Sequence, residues 1–248
     1  MIEKALHGGK GYWTWVLILL GIIGACVFAY LYQLRQGLWV TGMSRDVSWG
    51  FYISQFTFLV GVAASVLIVV LPLYVHNYQA FGRIACLAQF LAVGALIMSL
   101  TFIFSDLGMP MRIFNVPLNP TPGSMLFYDT IFIPGFVLIN LVAGWAVLGA
   151  EKREVPPPRW AKALIYISIP WAALMHTVTA FIYAGTPGRG FWMTAIMAPR
   201  FLVTAFAAGA ALLILLSALL KAITSFDPGE KAVQKLTTIL FYSLIIDA

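Results

Sequence analysis

The run WGFYISQFTFLVGVAASVLIVVLPLYV at residues 49–75 holds no Asp, Glu, Lys, Arg or His. Only scattered Ser, Thr, Gln and Tyr interrupt it, whereas a helix on the surface of a water-soluble domain needs a continuous polar face. Its length exceeds the roughly 20 residues that carry a helix across a hydrocarbon core of about 30 Å. The run therefore reads as a membrane-spanning helix. Five more stretches of the same character flank it, at 12–34, 82–106, 125–148, 160–183 and 198–221. A seventh at 231–246 follows Asp227-Pro228-Gly229-Glu230, where an early proline and an acid in the first turn form a helix-start signal.

The fold class expected is all-α: a polytopic transmembrane bundle of about seven helices, one four-helix bundle plus an incomplete second. Residues 1–248 form a single integral membrane domain. The seventh run is barely long enough to span, which fits either a naturally short or a truncated chain. Composition agrees, because 61% of the residues are hydrophobic and 10% charged, against about 25% charged in soluble domains. The net charge of +6 comes with no basic, aromatic-interleaved patch, so nucleic acid is not an expected partner. The N-terminal run is too long for a signal-peptide core.

Charge in the loops sets the orientation. One set of connections carries Lys4, Lys10, Arg83, Lys152, Arg153, Arg159, Lys162, Lys221, Lys231 and Lys235; the other carries Arg35, Arg45, Arg112, Arg189 and Arg200. Ten against five, with every lysine on one side, places the N-terminus in the cytoplasm. The opposite loops are longer and rich in Gly and Pro, as in 106–124 and 184–199. They have the character of a docking face or a pocket lid.

Ionisable groups at membrane depth are the candidates for chemistry, since burying them in lipid costs at least a few kcal/mol each. Asp106 closes span 3, His176 lies in span 5, Arg200 opens span 6 and Asp46 precedes span 2, all toward the same face. Asp106 and Arg200 also have a structural reading as an interfacial ion pair, and Asp46 one as a helix cap. Ser168, Ala172, His176, Thr179 and Tyr183 recur at three or four residues, giving span 5 one semi-polar stripe. Pro170 cannot donate to the Tyr166 carbonyl, which predicts a kink or a local water site there. Tyr128 and Asp129 begin span 4 at the same level, and Ala207-Ala208-Gly209-Ala210-Ala211 predicts close approach of span 6 to a neighbour. Trp13, Trp15, Trp39, Trp49, Trp160 and Trp192 read as interfacial belt residues.

Haem is not expected, because His7 and His76 lie on the side opposite His176 and cannot share an iron with it. Cys26 and Cys86 sit alone in apolar runs, so no iron–sulfur cluster is expected in this chain either.

The stretches GLWVTGMSRDVSWGFYISQFTFLVGVAAS (37–65), FSDLGMPMRIFN (104–115) and SIPWAALMHTVTAFIYAGTPGRGFWMTAIMAPRF (168–201) resemble the NrfD/polysulfide-reductase membrane-subunit family, and within it the DsrP-type subunits of sulfur-metabolising Dsr complexes. The resemblance implies a haem-free subunit that binds menaquinone or another quinone near the periplasmic face. It implies a periplasmic ferredoxin-like iron–sulfur partner (DsrO-like), with a multihaem cytochrome c (DsrJ-like) and b-type cytochrome and iron–sulfur subunits (DsrM-like and DsrK-like). Carried over by motif, the catalytic residues are Asp106 and His176 as proton partners, with Arg200 or Arg112 lowering the cost of a carboxylate at that depth. Asp46, Trp49 and Arg112 come from the same motifs, while Tyr128, Thr179 and Tyr183 line the expected slot. DsrP-like proteins have ten spans, so the second bundle is incomplete here. Two other classes fit the composition: a non-catalytic anchor for periplasmic redox subunits, which needs the docking loops but not His176 or Asp106, and a secondary transporter, which calls for inverted repeats.

Overall fold

The computed structural model describes residues 9–153, 155–186 and 190–248, and among these it contains helices and loops but no strand. The long helices are α1 (Lys10–Gln36), α2 (Phe51–Val75), α3 (Gly82–Asp106), α4 (Met125–Lys152), α5 (Arg159–Ala184), α6 (Met197–Ile223) and α7 (Glu230–Asp247). The first six are long and apolar enough to cross a membrane; α7 is the shorter helix that the sequence marks as marginal. His7, Lys4 and Arg189 lie outside the described residues.

Helices α2 to α5 pack in sequence order, with α6 laid along α2 and α5 and α7 antiparallel on α6. The core is built from β-branched and small residues that let the helices approach closely. Val60, Ile84, Leu96, Phe136, Ile165 and Leu213 are fully buried within it. Outward-facing Leu, Ile and Phe remain exposed on every span, as expected when lipid rather than water is the solvent.

The α2–α6 crossing is the tightest. A Cβ added at Gly209 would overlap Ser65 Oγ and Cβ, so the small-residue run of α6 does allow the approach predicted from it. At that point α2 is interrupted by a turn at Ser65 and Val66, and Ser65 Oγ bonds the Val62 carbonyl at 2.5 Å. The end of α2 widens to a π turn over Leu71–Val75, where Pro72 supplies no N–H. Helix α5, by contrast, continues through Pro170 to Ala184 with no break.

Helix α1 stands apart. Its apolar middle is exposed, as at Leu17 and Phe28, and only Gln33 is buried. Gln33 donates to the Ser105 carbonyl at 2.7 Å and accepts from the Tyr52 hydroxyl at 2.7 Å, which ties the end of α1 to α2 and α3.

Candidate functional site

The end of the bundle where α3 and α5 stop and α2, α4 and α6 start gathers the candidate residues. The semi-polar stripe of α5 faces inward as its spacing predicts: Ser168, Ala172, His176, Thr179 and Tyr183 are all buried. Each then meets a different neighbour.

Tyr183 packs edge-to-face on Trp49, Trp192 and Phe201, with ring centroids 5.2, 5.3 and 5.5 Å away. Its hydroxyl makes a hydrogen bond with Thr57 Oγ1 on α2 and lies 3.4 Å from the Ile53 carbonyl. Trp49 and Trp192 are nearly parallel, 5.8 Å between centroids. These rings wall a cavity of about 260 Å³ lined also by Asp46, Val47, Gly50, Ile53 and Ser54. That volume is near the lower end of ordinary small-ligand pockets, about 300 Å³. Trp49 and Trp192 are therefore pocket walls, while Trp13, Trp15, Trp39 and Trp160 are exposed as belt residues would be.

One turn deeper, Thr179 donates to Asp129 Oδ1 at 2.9 Å. Asp129 is 5% exposed, and with Asp106 it lies within electrostatic reach of Tyr183. A further turn in, His176 is buried and its Nε2 sits 2.7 Å from the Phe201 carbonyl. A carbonyl only accepts, so Nε2 carries the hydrogen of this bond. Nδ1 is buried without a hydrogen-bond partner among the described residues. His176 also walls a second cavity, of about 100 Å³, with Thr57, Phe58, Gly61, Phe201, Thr204, Ala205 and Ala208. Thr57 thus borders the inner cavity while bonding Tyr183, which borders the outer one. Asp106 is half-buried at the end of α3, and its Oδ1 is another buried oxygen with no partner among the described residues.

The structure brings together Asp46, Trp49, Asp106, His176, Thr179 and Tyr183, and it leaves three candidates aside. Arg200 is not with Asp106: it is exposed and its Nε lies 3.4 Å from Asp247 Oδ1 at the end of α7. Arg112 is exposed on the Pro110–Phe114 turn. Tyr128 is half-exposed against Phe127, and its neighbour Asp129 takes the interior position. Successive helical residues differ by about 100°, so only one of this pair can face the bundle. Asp129, Thr57 and Trp192 are the residues that sequence reasoning did not place in the site. For Asp129 the signal was present, since it is an acid at membrane depth on a helix whose neighbours are apolar.

No group of three or more His, Cys, Asp or Glu among the described residues is placed to hold a metal ion. The chemistry on offer is that of carboxyl oxygens and an imidazole beside an aromatic slot.

The family model for Polysulphide reductase, NrfD, matches residues 39–248. The chain belongs to the NrfD family. Among curated NrfD-like relatives, a putative dimethyl sulfoxide reductase membrane subunit of Halobacterium salinarum is 31% identical over 90% of this chain and 54% of its own length. A selenate reductase subunit of Mesobacillus selenatarsenatis is 25% identical over 96% and 62%. The Hdr-like menaquinol oxidoreductase integral membrane subunit of Archaeoglobus fulgidus is 23% identical over 82% and 49%. This NrfD-family chain thus spans about half to three-fifths of the length of the relatives it matches. Family and fold together make it a multi-pass membrane protein.

Proposed function

We propose that this chain is the quinone-interacting membrane subunit of an electron-transfer complex, working between the quinone pool and an iron–sulfur partner. The observation that carries the reading is the aromatic slot of Trp49, Tyr183 and Trp192 opening above Asp129, Thr179 and His176. A quinone–quinol pair supplies two-electron, two-proton chemistry and needs an apolar slot, polar partners for its two oxygens and titratable groups nearby. Trp49 and Trp192 hold the ring, and Tyr183 and Asp46 meet its oxygens. Asp129, Asp106 and His176 are the groups that take or supply protons at that depth. Arg200 lies outside this set, tied to Asp247.

The finer assignments rest on the orientation and the family. The loop charge bias supports a slot on the periplasmic side of the cytoplasmic membrane. The exposed loops beside it, with Trp39, Met111 and Phe191, suit a periplasmic ferredoxin-like subunit. Menaquinone is the quinone we favour, in line with the name of the Archaeoglobus relative, and DsrP is the family branch whose motifs the sequence resembles. The remaining Dsr-like partners and proton translocation belong to the same proposal.

The test is quinol-dependent turnover of the assembled complex carrying His176→Ala, Asp106→Asn or Asp129→Asn, with assembly followed by co-purification of the partner subunit. The expected result is intact assembly with turnover lowered at least tenfold. Unchanged rates in all three variants would leave a non-catalytic anchor.

A further inference from the structure

We propose that the inner cavity is the tail subsite of the outer slot. The ligand's prenyl chain leaves the slot along the lipid-facing groove between α2 and α6 and seats a branched five-carbon unit beside His176. This rests on the quinone-site reading above and deepens it, naming a long-chain, membrane-dissolved quinone rather than a tailless one as the ligand.

The two cavities lie along one line of α2. Ile53 and Ser54 wall the outer one, and Thr57, Phe58 and Gly61 wall the inner one. Residues three or four positions apart share a helix face, so one stripe of α2 runs from cavity to cavity over about 10 Å. Tyr183 and Thr57 bond to each other between the two cavities. That leaves the outer side of the stripe as the way from one to the other, past Ser54 and Phe58, which are both exposed. Exposure along a membrane-spanning helix is exposure to lipid, where a prenyl chain is dissolved.

The inner cavity has the chemistry of a chain site. Its polar walls are already engaged. Thr204 Oγ1 lies 3.0 and 2.9 Å from the Arg200 and Phe201 carbonyls, and Thr57 Oγ1 lies 3.0 Å from the Ile53 carbonyl. His176 bonds the Phe201 carbonyl through Nε2, and its Nδ1 is itself buried. Its ring meets Gly61 through Cε1, 3.5 Å from where a Cβ would stand. The remaining walls are Phe58, Phe201, Ala205 and Ala208.

Size excludes a second head site. The cavity of about 100 Å³ is smaller than the roughly 150 Å³ that holds one benzene ring. A two-ring naphthoquinone does not fit, whereas one branched five-carbon unit does. Gly61, Ala205 and Ala208 keep that space open.

The experiment uses the protein purified in its native membrane assembly. Binding of menadione, which has no tail, and of a menaquinone with a two-unit prenyl tail is measured by isothermal titration calorimetry in detergent. Each variant is compared with the wild type for the same probe, so partition into the micelle cancels. Ala208→Leu fills the cavity from its partly exposed rim. It is expected to weaken the tailed probe about tenfold, equivalent to losing the burial of about two methylene groups, and to leave menadione within about twofold. Phe58→Ala removes a wall and adds no bulk, so it checks the groove independently of how Ala208→Leu folds; it is expected to weaken the tailed probe alone, by about threefold. Selective loss of the tailed probe in either variant supports the tail subsite. Both variants treating the two probes alike overturns it, as when a lipid acyl chain rather than the ligand's own fills the groove. Trp49→Ala separates the two readings. Weakening of both probes there, with both groove variants silent, keeps the quinone site and removes the tail subsite; no change in either probe there removes both.

Discussion

Thr179 on α5 and Asp129 on α4 are joined by a 2.9 Å hydrogen bond in the interior of the bundle. The same hydroxyl lies 3.1 Å from the Met175 carbonyl of its own helix, so its one hydrogen is shared between a backbone and a carboxyl oxygen. A carboxyl group at this depth is retained only where the surroundings compensate its transfer from water. Thr179 is the side chain that does so here.

The pair gives a graded prediction. Asp129→Asn keeps the shape and an oxygen for Thr179 to donate to, so stability stays within about 1 kcal/mol while the ability to take a proton is lost. Quinol-linked turnover is expected to fall at least tenfold with assembly intact. Thr179→Val leaves the acid buried without its partner, which costs about 1–3 kcal/mol and lowers turnover less. Thermal unfolding in detergent and steady-state rates, measured side by side, separate the two. Equal loss of rate in both variants, tracking lost stability, would make the pair structural.

The α2–α6 crossing predicts a paired rescue. Gly209→Ala drives a methyl group into both Oγ and Cβ of Ser65, a clash that rotating the hydroxyl cannot relieve. The helices must part, at the cost of about 1–3 kcal/mol typical of overpacking. Adding Ser65→Gly removes both atoms and is expected to recover most of the loss in the double variant. A thermal scan in detergent of the two single variants and the double gives the coupling directly. Strict additivity would mean that the two helices do not meet at these residues.

Much of this site could be read from the residues before any coordinates. The α5 stripe came from spacing alone, because a helix buried on one face must repeat its semi-polar residues every three or four positions. The convergence of Asp46, Asp106 and His176 on one end followed from topology, since each sits where its span meets that end. What spacing cannot resolve is rotation about a helix axis when nearly all faces are apolar. Hence Tyr128 stood in for Asp129, and Trp192 read as a belt residue although it walls a pocket. Thr57 carried no signal, because a lone Thr in an apolar run most often bonds its own backbone. Its role comes from the tyrosine brought to it from 126 positions away.

At the opposite end of the bundle the α6–α7 loop supplies a pH prediction. Asp227 accepts from the Gly229 N–H at 3.4 Å, and Lys221 and Arg83 lie 3.4 and 3.7 Å from its oxygens. The Gly229 bond first, and then the Lys221 and Arg83 groups, hold its carboxyl below the usual carboxylate range. A depressed value in the folded state means the stabilisation is fully present above the unfolded value, about 3.9, and fades as pH falls through the lower folded one. Hydrogen exchange of the Thr224 to Gly229 amides is expected to stay flat through neutral pH and to quicken, beyond its intrinsic pH dependence, below about pH 4. Asp227→Asn removes that acid step. Its persistence in the variant would assign the step to another group.

Arg200 and Asp247 provide the sharpest contrast with the interior acids. Arg200 stands at the mouth end, near the start of α6, yet its side chain is 60% exposed and bonds Asp247 at 3.4 Å. An exposed pair of this kind contributes about 0–1 kcal/mol, and it pins the end of α7 to the start of α6 without touching the pocket. Arg200→Gln is therefore expected to change quinol-linked turnover less than twofold, and Asp247→Asn to match it. Steady-state rates of both variants beside Asp129→Asn decide the matter. A tenfold loss in Arg200→Gln with Asp247→Asn unaffected would place the guanidinium at the chemistry instead, since an arginine acting only through its ion pair must show the same effect from either partner.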